Sequence, residues 1–446
     1  MEGDPEAVAL PEDTLAEILR RLPLRSLATS RCVCKAWCAI VDGRRLLLPE
    51  FLPNSVRGIF LMYTQLHYPA FLSHPSMEPD IFCRLPGLWN SADVLDHCNG
   101  LLLYKDMRGL HVANPATQWR ASLPLPPPPP TGRFDERPHL VFDPTESLHY
   151  EVLIVPALPL LEEMDEPSKE WPASTWVLCV FSSRTGQWEE RAFVREGEAA
   201  QRAPIEVLDR WEWCCQSCSA YWQGALFVQC NAGFTVMRIS LSNNKYRAIT
   251  MPTDIEVSEY SQIYLGRSKE GLCCASFHDW YKLRVWILDD SCGTIEWVLK
   301  HHIDIHHSVS LAWGHIEEND GPWIMEDANS GEHYGQQNAL VKSKVEWDSD
   351  KDNIGDNESE VIESFTGYIG ILGFHPYKDV IFLNLSLHRV VAYHLTTSMV
   401  QDLGKVCPDD YAGNAGHTAA ITSSFPYTPC LIADLPESKL EAHVEG

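Results

Sequence analysis

Three groups of residues have types and spacings that could do chemistry. Cys214, Cys215 and Cys218 include a C-x-x-C pair. A structural zinc site wants a second such pair, or a histidine pair, at suitable spacing. Cys230 is the one cysteine in the next forty residues, so buried free thiols are the expectation. His301, His302, His306 and His307 form a denser cluster. Read as a strand, it puts His302 and His306 on one face and His301 and His307 on the other. No more than two then converge, and a metal would need ligands from elsewhere. Gly367, Gly370 and Gly373 are spaced by threes but lack the G-x-G-x-x-G order, which leaves strand and turn roles. Neither a G-x-S-x-G elbow nor a G-x-x-x-x-G-K loop occurs, and the carboxylates are too many to select a pair. The reading is therefore no catalytic residue, no metal ligand and no cofactor.

The elements tell more. In residues 10–41 the apolar spacing is helical: Leu15, Ile18, Leu19 and Leu22 fall at i, i+3, i+4 and i+7. Val33, Trp37, Ile40 and Val41 repeat the pattern. Pro23 breaks the first helix, since proline cannot continue an interior ladder. Pro11 suits a helix start, and Glu12 and Asp13 suit the positive end of its dipole. Three short helices make a marginal core alone, so the module reads as half of an interface. Charge is uneven as well. Residues 1–19 carry six acids and no base; residues 20–45 carry seven Lys or Arg and one acid, Asp42. A local basic face suggests an acidic partner there.

These residues resemble an F-box. The Leu10-Pro11 opening, the Leu15–Ile18-Leu19–Leu22-Pro23 frame and the Val33-Cys34-Lys35-Ala36-Trp37 run match the family pattern in order and spacing. The resemblance implies a non-catalytic substrate-recognition subunit of a Skp–cullin–F-box ubiquitin ligase. The family's docking residues carry over as Leu10, Pro11, Leu15, Ile18, Leu19, Leu22, Pro23, Val33, Cys34, Lys35 and Trp37. Leu10, Pro11 and Leu19 are expected mainly at the interface, and Trp37 partly in both roles.

From about residue 98 the helical period gives way to short apolar runs cut by turns, as in antiparallel sheet. A looser repeat emerges: two apolar strands, a polar turn, then an aromatic. Its strand pairs begin at Gly100, Tyr150, Gly224, Gly271 and Asp379, and its anchors are Trp119, Trp188, Tyr246, Trp297 and Val400. The first four anchors are spaced by 69, 58 and 51 residues, the dimensions of a propeller blade. Each aromatic is expected to pack on the neighbouring unit. Residues 317–363 hold fourteen acids against three bases and read as a solvated, disordered insertion. Pro124 and Pro126–Pro130 read as a rigid loop between strands.

The repeat resembles the plant-type, kelch-like F-box-associated propeller. The matching pieces are Cys98-Asn99-Gly100-Leu101-Leu102, Asn114-Pro115-Ala116-Thr117, Glu296 to His301, and Gly373-Phe374-His375-Pro376. The fold class expected is a small all-α three-helix F-box followed by an all-β propeller, of six blades or else seven. The expected boundaries are an F-box at 8–48, a linker and first propeller strands at 49–97, the propeller at 98–432 and a tail at 433–446. Strands from 55–97 should join the tail near 412–432 to close a sixth unit.

A net charge of −26 argues against a general nucleic-acid binder. Fifteen cysteines without a disulfide-framework spacing, and acids at positions 2, 4 and 6 where a signal would be basic, suggest cytoplasm or nucleus. No apolar run approaches a membrane span. The partners expected are a Skp-type adaptor, through it a cullin, and an unknown target protein. The competing classes are a propeller that binds small ligands or glycans, and a propeller metalloenzyme, neither with a ligase role.

Overall fold

The computed structural model describes residues 11–22, 30, 33–44, 54–74, 92–128, 136–156, 173–199, 219–230, 235–252, 263–291, 295–315, 321–326, 365–408, 411, 419–432 and 435. Among the described residues two helices come first, α1 (Glu12–Arg20) and α2 (Lys35–Gly43), the middle helix expected of the three lying outside them, and strands follow almost without interruption. They are β1 (Gly58–Tyr63) and β2 (Ala70–Ser73), then β3 (Asp93–Cys98), β4 (Leu101–Asp106), β5 (Gly109–Asn114) and β6 (Trp119–Ser122). Next are β7 (Glu136–Val141), β8 (Glu151–Pro156), β9 (Thr175–Ser182) and β10 (Gln187–Arg195). After these run β11 (Ser219–Trp222), β12 (Ala225–Cys230), β13 (Thr235–Ser240) and β14 (Lys245–Thr250). Then come β15 (Ile263–Ser268), β16 (Gly271–His278), β17 (Lys282–Asp289), β18 (Glu296–Asp304) and a helix α3 (His306–His315). The chain ends with β19 (Ile324–Glu326), β20 (Ile369–Phe374), β21 (Val380–Leu385), β22 (Arg389–His394), β23 (Val400–Lys405) and β24 (Ile421–Tyr427). Among the described residues no helix is long and apolar enough to cross a membrane.

The strands fall into six antiparallel groups of four. Three are separate sheets with orders β3-β4-β5-β6, β15-β16-β17-β18 and β20-β21-β22-β23. A fourth has the order β24-β1-β2-β19. The remaining two, β7 to β10 and β11 to β14, share one eight-stranded sheet. Only a short parallel pairing of β10 with β14 joins them, through Val194–Lys245 and Arg195–Tyr246. First strands meet one another: β3 lies against β7, β11 against β15, β15 against β20 and β20 against β24.

Burial explains which strands the pattern revealed. The second strands β1, β12 and β21 are buried at every position, so they read as continuous apolar runs. Their turns and anchors fall where the repeat put them, at the third and fourth strands. The anchors also cross between groups. Trp119 meets Tyr150 edge-on at 6.0 Å, and Tyr246 packs on Trp176 at 5.3 Å. Outer strands such as β18 alternate toward solvent.

The tail closes the fourth sheet from the far end of the chain. β24 pairs with β1 from Gly58–Tyr427 to Tyr63–Ile421. Two expectations need correction. Residues 321–326 lie inside the expected insertion, yet β19 pairs with β2, Trp323 is buried, and its N–H reaches Leu403 O at 2.8 Å. A three-residue strand, Ile324-Met325-Glu326 behind the buried Trp323, is enough to complete a sheet edge, whatever the charge around it. Residues 316–320 and 327–364 lie outside the described residues. The histidine run is not one strand either. His301 and His302 end β18, whereas His306 and His307 open α3, with the His306 N–H bonded to Asp304 Oδ1 at 3.0 Å. The Asp304 side chain bonds the backbone two residues on, a turn that leads the chain from strand into helix.

Candidate functional site

The amino-terminal module has a small closed core. Ala16 and Leu19 of α1 meet Ile40 and Val41 of α2, flanked by half-buried Leu15, Leu22 and Trp37. Pro11 caps α1 from just outside it, its carbonyl accepting the Leu15 N–H at 3.0 Å. Arg44 ties the end of α2 to the start of α1 through Asp13 at 2.6 Å and Glu12 at 3.5 Å. Exposed pairs of this kind contribute little to stability, so the packing of Ala16 and Leu19 on Ile40 and Val41 is what holds the two helices together.

The expected docking residues divide into three sets. Leu19, expected at the interface, is fully buried and fills the module's own core. A nine-residue helix has one apolar stripe, and here its centre turns inward. Ile18 is 45% exposed and Val33 61% exposed, and Pro11, Cys34 and Lys35 are also outward. Leu10 and Pro23 lie outside the described residues. The basic face is partly neutralised from within: Glu17 holds Arg20 at 2.9 Å and Arg21 at 3.2 Å. Among the described residues, Pro11, Ile18, Val33 and Cys34 are thus exposed, and Arg20, Arg21 and Arg44 are engaged by Glu17, Asp13 and Glu12.

In the β domain, two of the pieces that matched the propeller pattern, those at Cys98–Leu102 and at Asn114–Thr117, are latches between groups. The Cys98 thiol lies 3.2 Å from Phe142 O, and Asn99 Nδ2 donates to the same oxygen at 2.7 Å, joining β3 to the strand beside it. Burial pushes the Cys98 thiol up, so it stays protonated. Asn114 holds its own turn through the Ala116 N–H and donates from Nδ2 to Cys430 O at 2.8 Å. Gly100 has φ +87°, and a Cβ there would stand 2.5 Å from Cys430 N. Both motifs therefore grip the returning tail. Replacing Asn114 by Ala should cost about 1–3 kcal/mol by leaving buried carbonyls unpaired. Urea unfolding reads this, and an unchanged midpoint would refute the latch.

The first strands carry a polar network that sequence reasoning missed. Asp96 of β3 is buried and accepts the Leu140 N–H at 2.8 Å and the Ser219 hydroxyl at 2.7 Å. His139 of β7 stands 3.6 Å away. Burial opposes ionisation of Asp96, but His139, His97 and the Leu140 N–H prevail and hold its carboxyl below the ordinary range. The His97 ring stacks on Phe425 at 3.9 Å. The network joins β3, β7 and β11 and so positions strands. The only signal in the sequence was polar residues within short strands, which a search for apolar runs passes over.

Among the described residues no group of three or more His, Cys, Asp or Glu could hold a metal ion. Cys214, Cys215 and Cys218 lie outside the described residues. Cys230 is a buried thiol whose Sγ lies 3.7 Å from Pro156 O. Of the proline run, residues up to 128 are described, and Pro124 O accepts the Trp188 Nε1–H at 2.9 Å, which braces that loop against the next group.

Comparison with known proteins bears on the first module most directly. Residues 9–48 match the F-box domain model. An F-box protein of Arabidopsis thaliana is 30% identical over 188 residues, covering 40% of this chain and 48% of that one. An F-box/kelch-repeat protein of the same plant is 33% identical over 124 residues, 26% of this chain and 30% of that one. The chain thus spans less than half the length of either relative. A third F-box protein of Arabidopsis thaliana is 23% identical over 319 residues, covering 66% of this chain and 68% of its own. The solved structure of YCF48 bound to D1 peptide aligns over 79% of this chain and 82% of its own, at 6% identity and a TM-score of 0.31. The chain carries an F-box domain at its amino terminus, its relatives include plant F-box proteins, and the region that follows is predominantly β.

Proposed function

We propose that this chain is the substrate-recognition subunit of a Skp–cullin–F-box type ubiquitin ligase. The observation that carries the reading is the match of residues 9–48 to the F-box domain model, with Pro11, Ile18, Val33 and Cys34 exposed beside the core of Ala16, Leu19, Ile40 and Val41. Those exposed residues dock the Skp-type adaptor, and the cullin scaffold follows through the adaptor. The six four-stranded groups are the blades of a six-bladed propeller, closed by the tail strand β24 in the sheet that β1 begins. Its faces hold a target protein. Catalysis is not its part: holding target and adaptor together raises the effective concentration of the target near the charged ubiquitin carrier. The nine free cysteines among the described residues suit a reducing compartment, cytoplasm or nucleus.

The test is adaptor binding by full-length protein. Ile18→Ala combined with Val33→Ala should weaken it by about 2 kcal/mol or more, roughly thirtyfold, since exposed apolar anchors are lost without touching the core. Pro11→Ala with Leu10→Ala should act the same way, and melting of the β domain should not move. Full adaptor affinity in both double variants would overturn the assignment.

A further inference from the structure

The segment that leaves β6 toward β7 opens with Leu123-Pro124-Leu125-Pro126-Pro127-Pro128, and the proline run continues in sequence to Pro130. Proline fixes its own φ and pushes the residue before it into extended backbone. Each residue from Leu123 to Pro128 is a proline or precedes one, so the stretch is confined to polyproline II, three residues per turn. Its start is tied down. Leu123 is buried, and its N–H reaches Leu110 O at 2.9 Å. The Pro124 carbonyl accepts the Trp188 Nε1–H at 2.9 Å.

Beyond that bond the run faces solvent. Leu125 is 81% exposed, and Pro127 and Pro128 are exposed as well. Leu125 and Pro128 are three apart and so share one ridge of the polyproline helix. The turn between β4 and β5 adjoins them, since a Cβ on Gly109 would stand 3.9 Å from Leu125 Cδ2. Met107 in that turn is 96% exposed. The twelve residues between Arg120 and Arg133 hold no charge, in a chain that is 22% charged. A connector between strands needs reach and polar turn residues. It has no use for an outward leucine set in a proline ridge.

We propose that residues 123–128 are a docking ligand for a protein domain that reads polyproline II in an aromatic-lined groove. Leu125 and Pro128 seat in the groove, and the Trp188 bond to Pro124 sets the direction in which the run leaves the β domain. A helix of this kind is formed before the partner arrives, so little backbone freedom is lost on binding. With no charge in the run, apolar contact carries the recognition and an ionic clamp does not. This docking is independent of the adaptor, which is assigned to the amino-terminal module.

The experiment passes full-length protein over immobilised SH3, WW and EVH1 domains, each beside a variant whose groove tryptophan is replaced by alanine. At least one kind should retain the chain roughly tenfold over its own groove variant, and that kind identifies the groove. Leu125→Ala with Pro128→Ala should bring retention down to the groove-variant level. The melting temperature should stay put, because both side chains are exposed. A synthetic peptide of residues 121–132 should displace the retained chain, and the same peptide with both alanines should not. If the double variant melts early, the peptide competition decides alone. Raising sodium chloride from about 0.1 to about 0.5 M should leave retention within about twofold, since exposed charges are what salt screens. Retention by no domain above its groove variant, full retention of a folded double variant, or failure of the native peptide to compete would overturn the proposal. Loss of retention in high salt would do the same, by moving the contact to charged residues elsewhere on the chain.

Discussion

A chain stopped after residue 418 should lose the cooperative unfolding of its β domain. The tail holds β24, whose Phe425 and Tyr427 are both buried. Phe60 of β1 stacks on Phe425 at 5.3 Å and meets Tyr427 edge-on at 5.4 Å. The Asn114 bond to Cys430 and the close approach at Gly100 go with the same segment. Each buried aromatic contributes about 1.5–3 kcal/mol, so the two together approach the 5–15 kcal/mol that holds a typical domain. β1 is also left with an open edge, a template for aggregation. Near-ultraviolet circular dichroism with thermal melting should show a lowered, broadened transition. Adding a peptide of residues 419–446 should restore it, because the partners of β24 lie on β1 and β20, already in the truncated chain. A truncated chain that melts like the full one would remove β24 from any closing role.

That dependence on the tail was partly legible. The pairing of residues near 58 with residues near 425 follows from counting strands and needing a partner for an edge. The details were not legible, for three physical reasons. First strands such as β3 and β11 are short and hold Asp96, His97 and Ser219, because they face a polar network and not a second apolar layer. β19 is three residues long within an acidic stretch, and composition over a long window averages such a triplet away. Leu19 was placed at the interface because a nine-residue helix shows the same stripe for core and partner. Only its packing on Ile40 and Val41 separates the two. By contrast, the second and third strands of five of the six groups are legible as apolar runs, the second strands β12 and β21 being buried at every position. The motif residues Cys98, Asn99 and Asn114 were visible as a family likeness. Their work, bonding one group to the next and to the tail, needed the fold.

Between pH 6.5 and 4 the β domain should lose roughly 3 kcal/mol through one side chain, His375. Its ring is buried between β20 and β21, 6.0 Å from Phe382, and its Nδ1 accepts the Tyr377 N–H at 3.1 Å. Burial, helped by repulsion from Lys378 and His394, lowers its pKa from 6.5 to about 4. The folded chain therefore keeps the ring neutral over a range in which the unfolded chain takes up a proton. Stability is full above pH 6.5, declines as pH falls toward 4, and loses nothing more from this group below that. Carboxylates such as Asp96, whose folded pKa is lowered, add a loss of the same sign as they protonate. A comparison with His375→Asn isolates the ring, because an amide oxygen can still accept the Tyr377 N–H and never titrates. Urea unfolding at pH 7.5, 6, 5 and 4 should show the wild-type chain falling more steeply than the variant, by an excess near that same figure. Parallel curves would mean that His375 gains a proton in the folded chain as readily as in the unfolded one, which a ring packed among Tyr377, Phe382 and its own turn has no means to do.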